Sequence, residues 1–166
     1  MSQLPPVATE DFARNFRNAL GMFATGITVV TMRTPAGEPI GLTVNSFNSV
    51  SLDPPLIVWS LSNDLPSRAL FEACEYYAIN VLSADQEAVS QRFASRLGDR
   101  FAGLGFDHGM GGAPLLHGCC ARFECRNTNR HAGGDHTVFI SEVVRFDRTP
   151  ADPLVYFGGS YRYLLA

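Results

Sequence analysis

Hydroxyls and amides crowd one stretch of this chain, Gly41–Pro55, which reads GLTVNSFNSVSLDPP. Strand side chains alternate between faces. Thr43, Asn45, Phe47, Ser49 and Ser51 would therefore share one side, and Val44, Ser46, Asn48 and Val50 the other. A strand over an ordinary core keeps its polar residues on one face, whereas here they fall on both. Each buried polar group left unpaired costs roughly 1–3 kcal/mol, so something polar should meet this segment. A bound ligand is one answer; an exposed edge strand or a Ser/Asn-rich loop is the other.

Further along stand Ser60, Ser62 and the pair Ser67-Arg68. Arg68 sits near the start of a possible helix, where backbone donors favour an anion. The guanidinium fork can give a phosphate two hydrogen bonds at once. Such a set could hold a phosphorylated cofactor without a P-loop, although each residue taken alone also suits turn and cap chemistry. Sharper motifs are missing. Gly103-Leu104-Gly105 fails G-x-G-x-x-G because His108 occupies the third glycine position. All thirteen basic residues are Arg, which excludes lysine Schiff-base and P-loop chemistry. No serine sits in a G-x-S-x-G elbow. Cys74, Cys119, Cys120 and Cys125 form no C-x-x-C pair, and His108, His117, His131 and His136 show no ligand spacing, so no metal is expected.

The elements that must position these residues read mostly as strands. Thr9 can cap a helix whose Phe12, Phe16, Leu20 and Phe23 form one apolar face, expected to pack on the core. Strands follow at Ile27–Met32, Ile40–Ser51, Leu56–Leu61 and Tyr76–Leu82. Pro66–Cys74 suits a short helix with Leu70 and Phe71 inward. Ser83 and Gln86 form a capping box for a further helix that buries Val89, Phe93 and Leu97. Gly98–Gly112 reads as loop. Cys119–Asn127 and Thr137–Phe146 read as paired strands joined by the polar link Thr128–His136, and Leu154–Leu165 as a last strand or strand-turn. Helices do not alternate with strands, which argues for an antiparallel barrel rather than a parallel sheet.

A chain of 166 residues fits one domain, 1–166, with 1–8 as a flexible tail. Its charged fraction of 17% is low against about 25% in typical domains, which suggests surface hidden in an oligomer. A net charge of −3 with scattered arginines argues against a nucleic-acid groove. The N-terminus MSQLPPVATEDF lacks a signal-peptide pattern and no apolar run could span a bilayer, so a cytoplasmic protein is expected, away from membranes.

Taken in order, several segments resemble the flavin reductase family. They are MFATGITVVT (Met22–Thr31), GLTVNSFNSVSLDPPLIVWSL (Gly41–Leu61), YAINVLS (Tyr77–Ser83), QRFAS (Gln91–Ser95) and GDRF (Gly98–Phe101), then GGAPLLHG (Gly111–Gly118), ARFEC (Ala121–Cys125), GGDHTVFISEV (Gly133–Val143) and PLVYFGGSYRYL (Pro153–Leu164). The resemblance implies a mainly β fold: an antiparallel, Greek-key split β-barrel that binds FMN, with two or three flanking helices. It implies an NAD(P)H-dependent flavin reductase that moves a hydride from NADH or NADPH to FMN or FAD. Such an enzyme is a homodimer that supplies reduced flavin to a transient monooxygenase partner.

By the same resemblance Thr43, Val44, Asn45 and Ser46 lie along the flavin's ribityl chain and ring edge, and Val50 and Ser51 near the isoalloxazine. Ser60, Ser62, Ser67 and Arg68 take the phosphate end. Asn80 bonds near the ring, and Arg100 reaches the phosphate tail or the dinucleotide. His136 and Tyr161 line the nicotinamide side as the catalytic pair. Hydride transfer needs little acid–base machinery, which fits the missing dyad. Two alternatives stay open: an FMN oxidoreductase with its own organic substrate, as in pyridoxamine-phosphate-oxidase-like barrels, and a flavin carrier or sensor without catalysis.

Overall fold

β-Branched residues and short turns build most of the chain into antiparallel strands. The computed structural model describes residues 10–164, so the expected tail and the Thr9 cap lie outside the described residues. In chain order the elements are α1 (Glu10–Leu20), β1 (Thr25–Gly26), β2 (Thr28–Arg33), β3 (Pro39–Val44), β4 (Asn48–Leu52), β5 (Pro55–Ser62), α2 (Arg68–Ala73), β6 (Tyr76–Val81) and α3 (Glu87–Ala94). Then come β7 (Phe106–His108), β8 (Pro114–Leu116), β9 (Ala121–Gly133), β10 (His136–Arg148), β11 (Val155–Phe157) and β12 (Ser160–Arg162).

The main sheet has seven strands in the order β3-β2-β6-β9-β10-β5-β4, every pairing antiparallel. Its two edge strands, β3 and β4, are joined by only Asn45–Phe47. Flat, those edges would lie about 29 Å apart at ~4.8 Å per strand spacing. A three-residue link reaches no more than about 14 Å. The sheet must therefore curl until its edges meet, leaving a seam between β3 and β5. This mainly β, antiparallel fold with helices on its flanks is the one that the resemblance implies.

Inside the curl, Trp59 stacks on its cross-strand partner Phe139 with ring centroids 4.5 Å apart. Phe71 and Tyr77 meet Trp59 edge-on at 5.6 and 5.5 Å. All four are fully buried, and each such side chain contributes roughly 1.5–3 kcal/mol by leaving water. Trp59 Nε1 donates to Tyr77 Oη at 2.8 Å, so its polar atom is paired. A second cluster lies outside the curl, where Phe93 of α3 and Leu154 cover Val29 of β2. β2 is thus buried on both faces.

Several expectations change. The long strand Ile40–Ser51 is two strands, because the chain breaks away at Asn45–Phe47. Leu56–Leu61 is buried on alternate residues only, at Ile57, Trp59 and Leu61. Leu70 is 38% exposed, and only Phe71 of α2 points into the core. The Ser83–Gln86 capping box forms, with Ser83 N donating to Gln86 Oε1 at 3.0 Å, but α3 ends at Ala94 and leaves Leu97 exposed. The expected loop Gly98–Gly112 contains β7, paired with β8. The polar link Thr128–His136 is mostly strand, as β9 and β10 run on as a long hairpin. The apolar face of α1 does not enter the core: Phe16 and Leu20 are exposed, and Phe23 lies beyond the helix end and is exposed as well.

Candidate functional site

The seam gathers much of the polar set. A groove of about 270 Å³ runs along it, walled by Leu42–Ser46 of β3 and its link, by Ser60–Ser62 of β5, and by Leu65 and His136. Thr43, Val44, Asn45, Ser46, Ser60, Ser62 and His136, scattered over ninety residues, thus face one space.

Their hydrogen bonds decide what each can offer. Ser46 Oγ donates to Ser60 O at 3.1 Å and accepts from Ser60 N at 3.0 Å. It stands in for the strand neighbour that β5 lacks at the seam, and most of its bonding capacity is spent. Thr43 Oγ1 donates to Ser90 O at 2.7 Å. Its one proton is committed, so toward a ligand it presents lone pairs. Ser62 Oγ accepts the Asp64 N–H at 3.4 Å. Asn45 is exposed and its side chain engages nothing among the described residues. It is the free amide of the groove, with donors and an acceptor both available.

His136 opens β10, half-exposed, with Nδ1 2.7 Å from Asp135 Oδ1. The His136 contact holds the Asp135 carboxyl below its usual range, so it stays ionised at neutral pH. An ionised carboxylate accepts, which assigns a proton to Nδ1.

Leu42 and Leu65 also wall a second, adjoining cleft of about 480 Å³, which Ser67 and Arg100 line. Arg100 is half-buried and anchored through Nη1 to Gly41 O at 2.7 Å. Arg68 does not line either space; it pairs with Glu72 at 3.2 Å, one turn along α2. Ser67, the N-cap of α2, makes no side-chain cap bond.

Three other expected residues stand apart. Val50 is the extra residue of a bulge in β4, and Ser51 Oγ accepts from Asp53 N; neither walls the seam. Asn80 is fully buried and saturated. Its Nδ2 donates to Val29 O and Thr31 Oγ1, both at 3.0 Å, and its Oδ1 accepts Leu116 N at 2.8 Å. It ties β8 to β2 and β6 and has no surface for a ligand. Tyr161 reaches the site indirectly: its hydroxyl meets Ser90 Oγ at 2.9 Å, behind Thr43. Sequence reasoning missed Ser90, a buried serine on the apolar face of α3, and the wall residues Leu42 and Leu65, which carry no signal beyond their apolarity.

The cysteines take no part. Burial pushes Cys74 up to about 11 and Cys119 and Cys125 up to about 12, so all three remain thiols at neutral pH.

The family model for a flavin reductase like domain matches residues 20–165. The chain is 49% identical over 149 residues to the FMN reductase (NADH) SmoA of Agrobacterium fabrum, covering 90% of this chain and 84% of that protein. It is 35% identical over 149 residues to HsaB, the reductase subunit of a flavin-dependent monooxygenase of Rhodococcus jostii, covering 89% and 76%. The solved NADH:FAD oxidoreductase of Streptomyces globisporus, in complex with NAD and FAD fragments, superimposes with a TM-score of 0.89 at 35% identity, covering 96% of this chain and 97% of that one.

Proposed function

The chain belongs to the flavin reductase family, and on that premise we propose that the β3–β5 seam holds the flavin ring. The protein is an NADH-dependent flavin reductase, the component that supplies reduced flavin to a partner monooxygenase. The observation that carries the seam assignment is its unspent polar capacity. The lone pairs of Thr43 and the whole amide of Asn45 face one groove, beside the apolar Leu42 and Leu65. These residues fit a flat ring with donors and acceptors on one edge.

When bound, the flavin supplies the hydride-accepting chemistry. The chain's own residues orient and shield. Leu42 and Leu65 exclude water from the groove floor. Thr43 accepts from a ligand donor, and Asn45 both donates and accepts. His136, held by Asp135, lines the groove, where it orients a nicotinamide or moves a proton. Tyr161 acts through Ser90 as a positioning residue. Ser67 and Arg100 take the phosphate end. A diffusible product must leave, so a dissociation constant near ~1 μM, about −8 kcal/mol, is expected.

The enzyme works as a homodimer in the cytoplasm. Phe16, Leu20 and Phe23, exposed at 55%, 59% and 71%, give a second copy an apolar surface to cover. Four unpaired cysteines suit a reducing compartment. Among the described residues no helix is long and apolar enough to cross a membrane. Light scattering on Phe23→Glu should give a monomer where the wild type gives a dimer.

Anaerobic mixing with NADH and excess FMN, then FAD, tests the function. Catalytic bleaching of the free flavin is expected. Flavin that binds but stays oxidised would sink the reductase reading and leave the seam as a binding site.

A further inference from the structure

His136 stands at the tip of a long hairpin, where a strand is least supported. β10 begins at His136, and the two residues before it, Gly134 and Asp135, form the turn. The Asp135 carboxylate reaches the imidazole, but Asp135 is itself exposed and must be held in turn.

The segment that follows β5 supplies the hold. Asn63 N donates to Asp135 O at 2.9 Å. Asn63 Nδ2 donates to Gly134 O at 3.2 Å, and Asn63 Oδ1 accepts from Thr137 Oγ1 at 3.0 Å. One side chain and its own backbone thus grip the hairpin on both sides of His136. The partners fix the amide's orientation, because Gly134 O can only accept and the Thr137 hydroxyl brings a proton. Thr137 is 7% exposed and lies on the face of β10 opposite His136. Its Oγ1 is also 3.0 Å from Glu72 Oε1, so one hydroxyl proton is shared between two acceptors. Arg68 holds that same Glu72 oxygen, which ties α2 to the back of the hairpin.

We propose that Asn63, with Thr137 behind it, is the positioning residue for His136 and sets where the imidazole stands in the seam. The proposal rests on the flavin reductase reading, in which His136 serves the nicotinamide side. Asn63 walls neither the seam groove nor the adjoining cleft. It therefore acts through the hairpin, without touching a ligand. The register fits this role: His136 pairs with Ser62, and Asn63 is the next residue along.

The test compares Asn63→Ala, Thr137→Val and Thr137→Ser with the wild type and with His136→Gln, all in the full chain. Asn63 is exposed, so Asn63→Ala should fold as the wild type. Three quantities are read: kcat with NADH, the FMN dissociation constant, and the NMR signals of the His136 ring. Asn63→Ala and Thr137→Val should shift the ring signals and lower kcat roughly three- to ten-fold, as loss of a net hydrogen bond can, with FMN affinity changed less than about two-fold. Thr137→Ser keeps the hydroxyl and should retain wild-type values of all three. In the His136→Gln background, Asn63→Ala should cost no further turnover, because the two residues act as one unit. Full additivity overturns the proposal. So do unmoved ring signals or unchanged kcat in Asn63→Ala, or a loss of FMN affinity as large as the loss of kcat, which marks a merely structural role. Failure of the underlying reading shows differently. His136→Gln then turns over NADH as fast as the wild type while the ring signals still move in Asn63→Ala, and the catalytic use of the grip falls with it.

Discussion

Asn45 and Ser46 are neighbours in sequence and in the seam, and the structure gives them opposite jobs. Ser46 Oγ holds both backbone groups of Ser60, at 3.0 and 3.1 Å. Asn45 holds nothing among the described residues. Ser46→Ala removes two hydrogen bonds, each worth about 0.5–1.5 kcal/mol net. Because the seam is exposed, water recovers part of this, and a loss of about 1–2 kcal/mol is expected. For a chain of this size that corresponds to roughly 2–8 °C in Tm. Asn45→Ala should leave stability within about 0.5 kcal/mol, as surface changes do. It should weaken flavin binding by about 1–1.5 kcal/mol, roughly five- to ten-fold.

Thermal melts followed by the fluorescence of Trp59, and flavin titrations on the same samples, read both quantities. Ser46→Ala should shift both, because the clip also shapes the groove. Equal melting of Ser46→Ala and wild type would refute the clip. Unchanged flavin affinity in Asn45→Ala would refute the placement of the ring.

Four further outcomes are expected. Tyr77→Phe strands the buried Trp59 Nε1–H that now meets Tyr77 Oη, and a cost of about 1–3 kcal/mol should appear in urea unfolding. Gly41→Ala would place a Cβ 2.8 Å from Phe93 Cε1 and 3.1 Å from Thr31 Cγ2; crowding of about 1–3 kcal/mol should lower Tm and, by moving the carbonyl that anchors Arg100, weaken FMN binding. Cys119 and Cys125 keep their protons up to about pH 12 in the fold, against 9 when exposed. The native state then binds more protons than the unfolded one above pH 9, so stability should fall from there upward, and a flat stability curve between pH 9 and 11 would contradict it. His136 lines the seam, so His136→Gln should lower turnover with NADH more than it lowers FMN affinity, as steady-state rates and flavin titrations on the same samples read.

Legibility followed local chemistry. The Ser83–Gln86 box was readable because both halves lie within one turn. The two-sided polarity of Gly41–Pro55 marked the seam, yet read as one strand. The break at Asn45–Phe47 depends on where β5 lies, which no local pattern carries. The resemblance puts Asn80 near the flavin ring. Its partners, Val29, Thr31 and Leu116, lie up to fifty-one residues away and absorb it entirely. The Thr128–His136 link looked too polar for strand because the hairpin tip is solvated on both faces. The spacing of Phe12, Phe16 and Leu20 gave an apolar face on α1, which ends before Phe23, but periodicity cannot say what covers it.

The position of the seam follows from the topology. A curled sheet whose two edges are joined by three residues cannot pair those edges along their length. β5 is left with open backbone groups at Ser60, and β3 with an outward threonine. A seam of this kind must be closed by side chains, as Ser46 closes it, or by a ligand. Polar residues therefore gather there on both faces of one segment. That gathering is costly as plain strand design and useful only where something docks. The same argument explains the plain chemistry of the walls. On the proposed reading the reacting groups come with the ligands, and what is left to the chain is orientation, shielding and one well-held histidine.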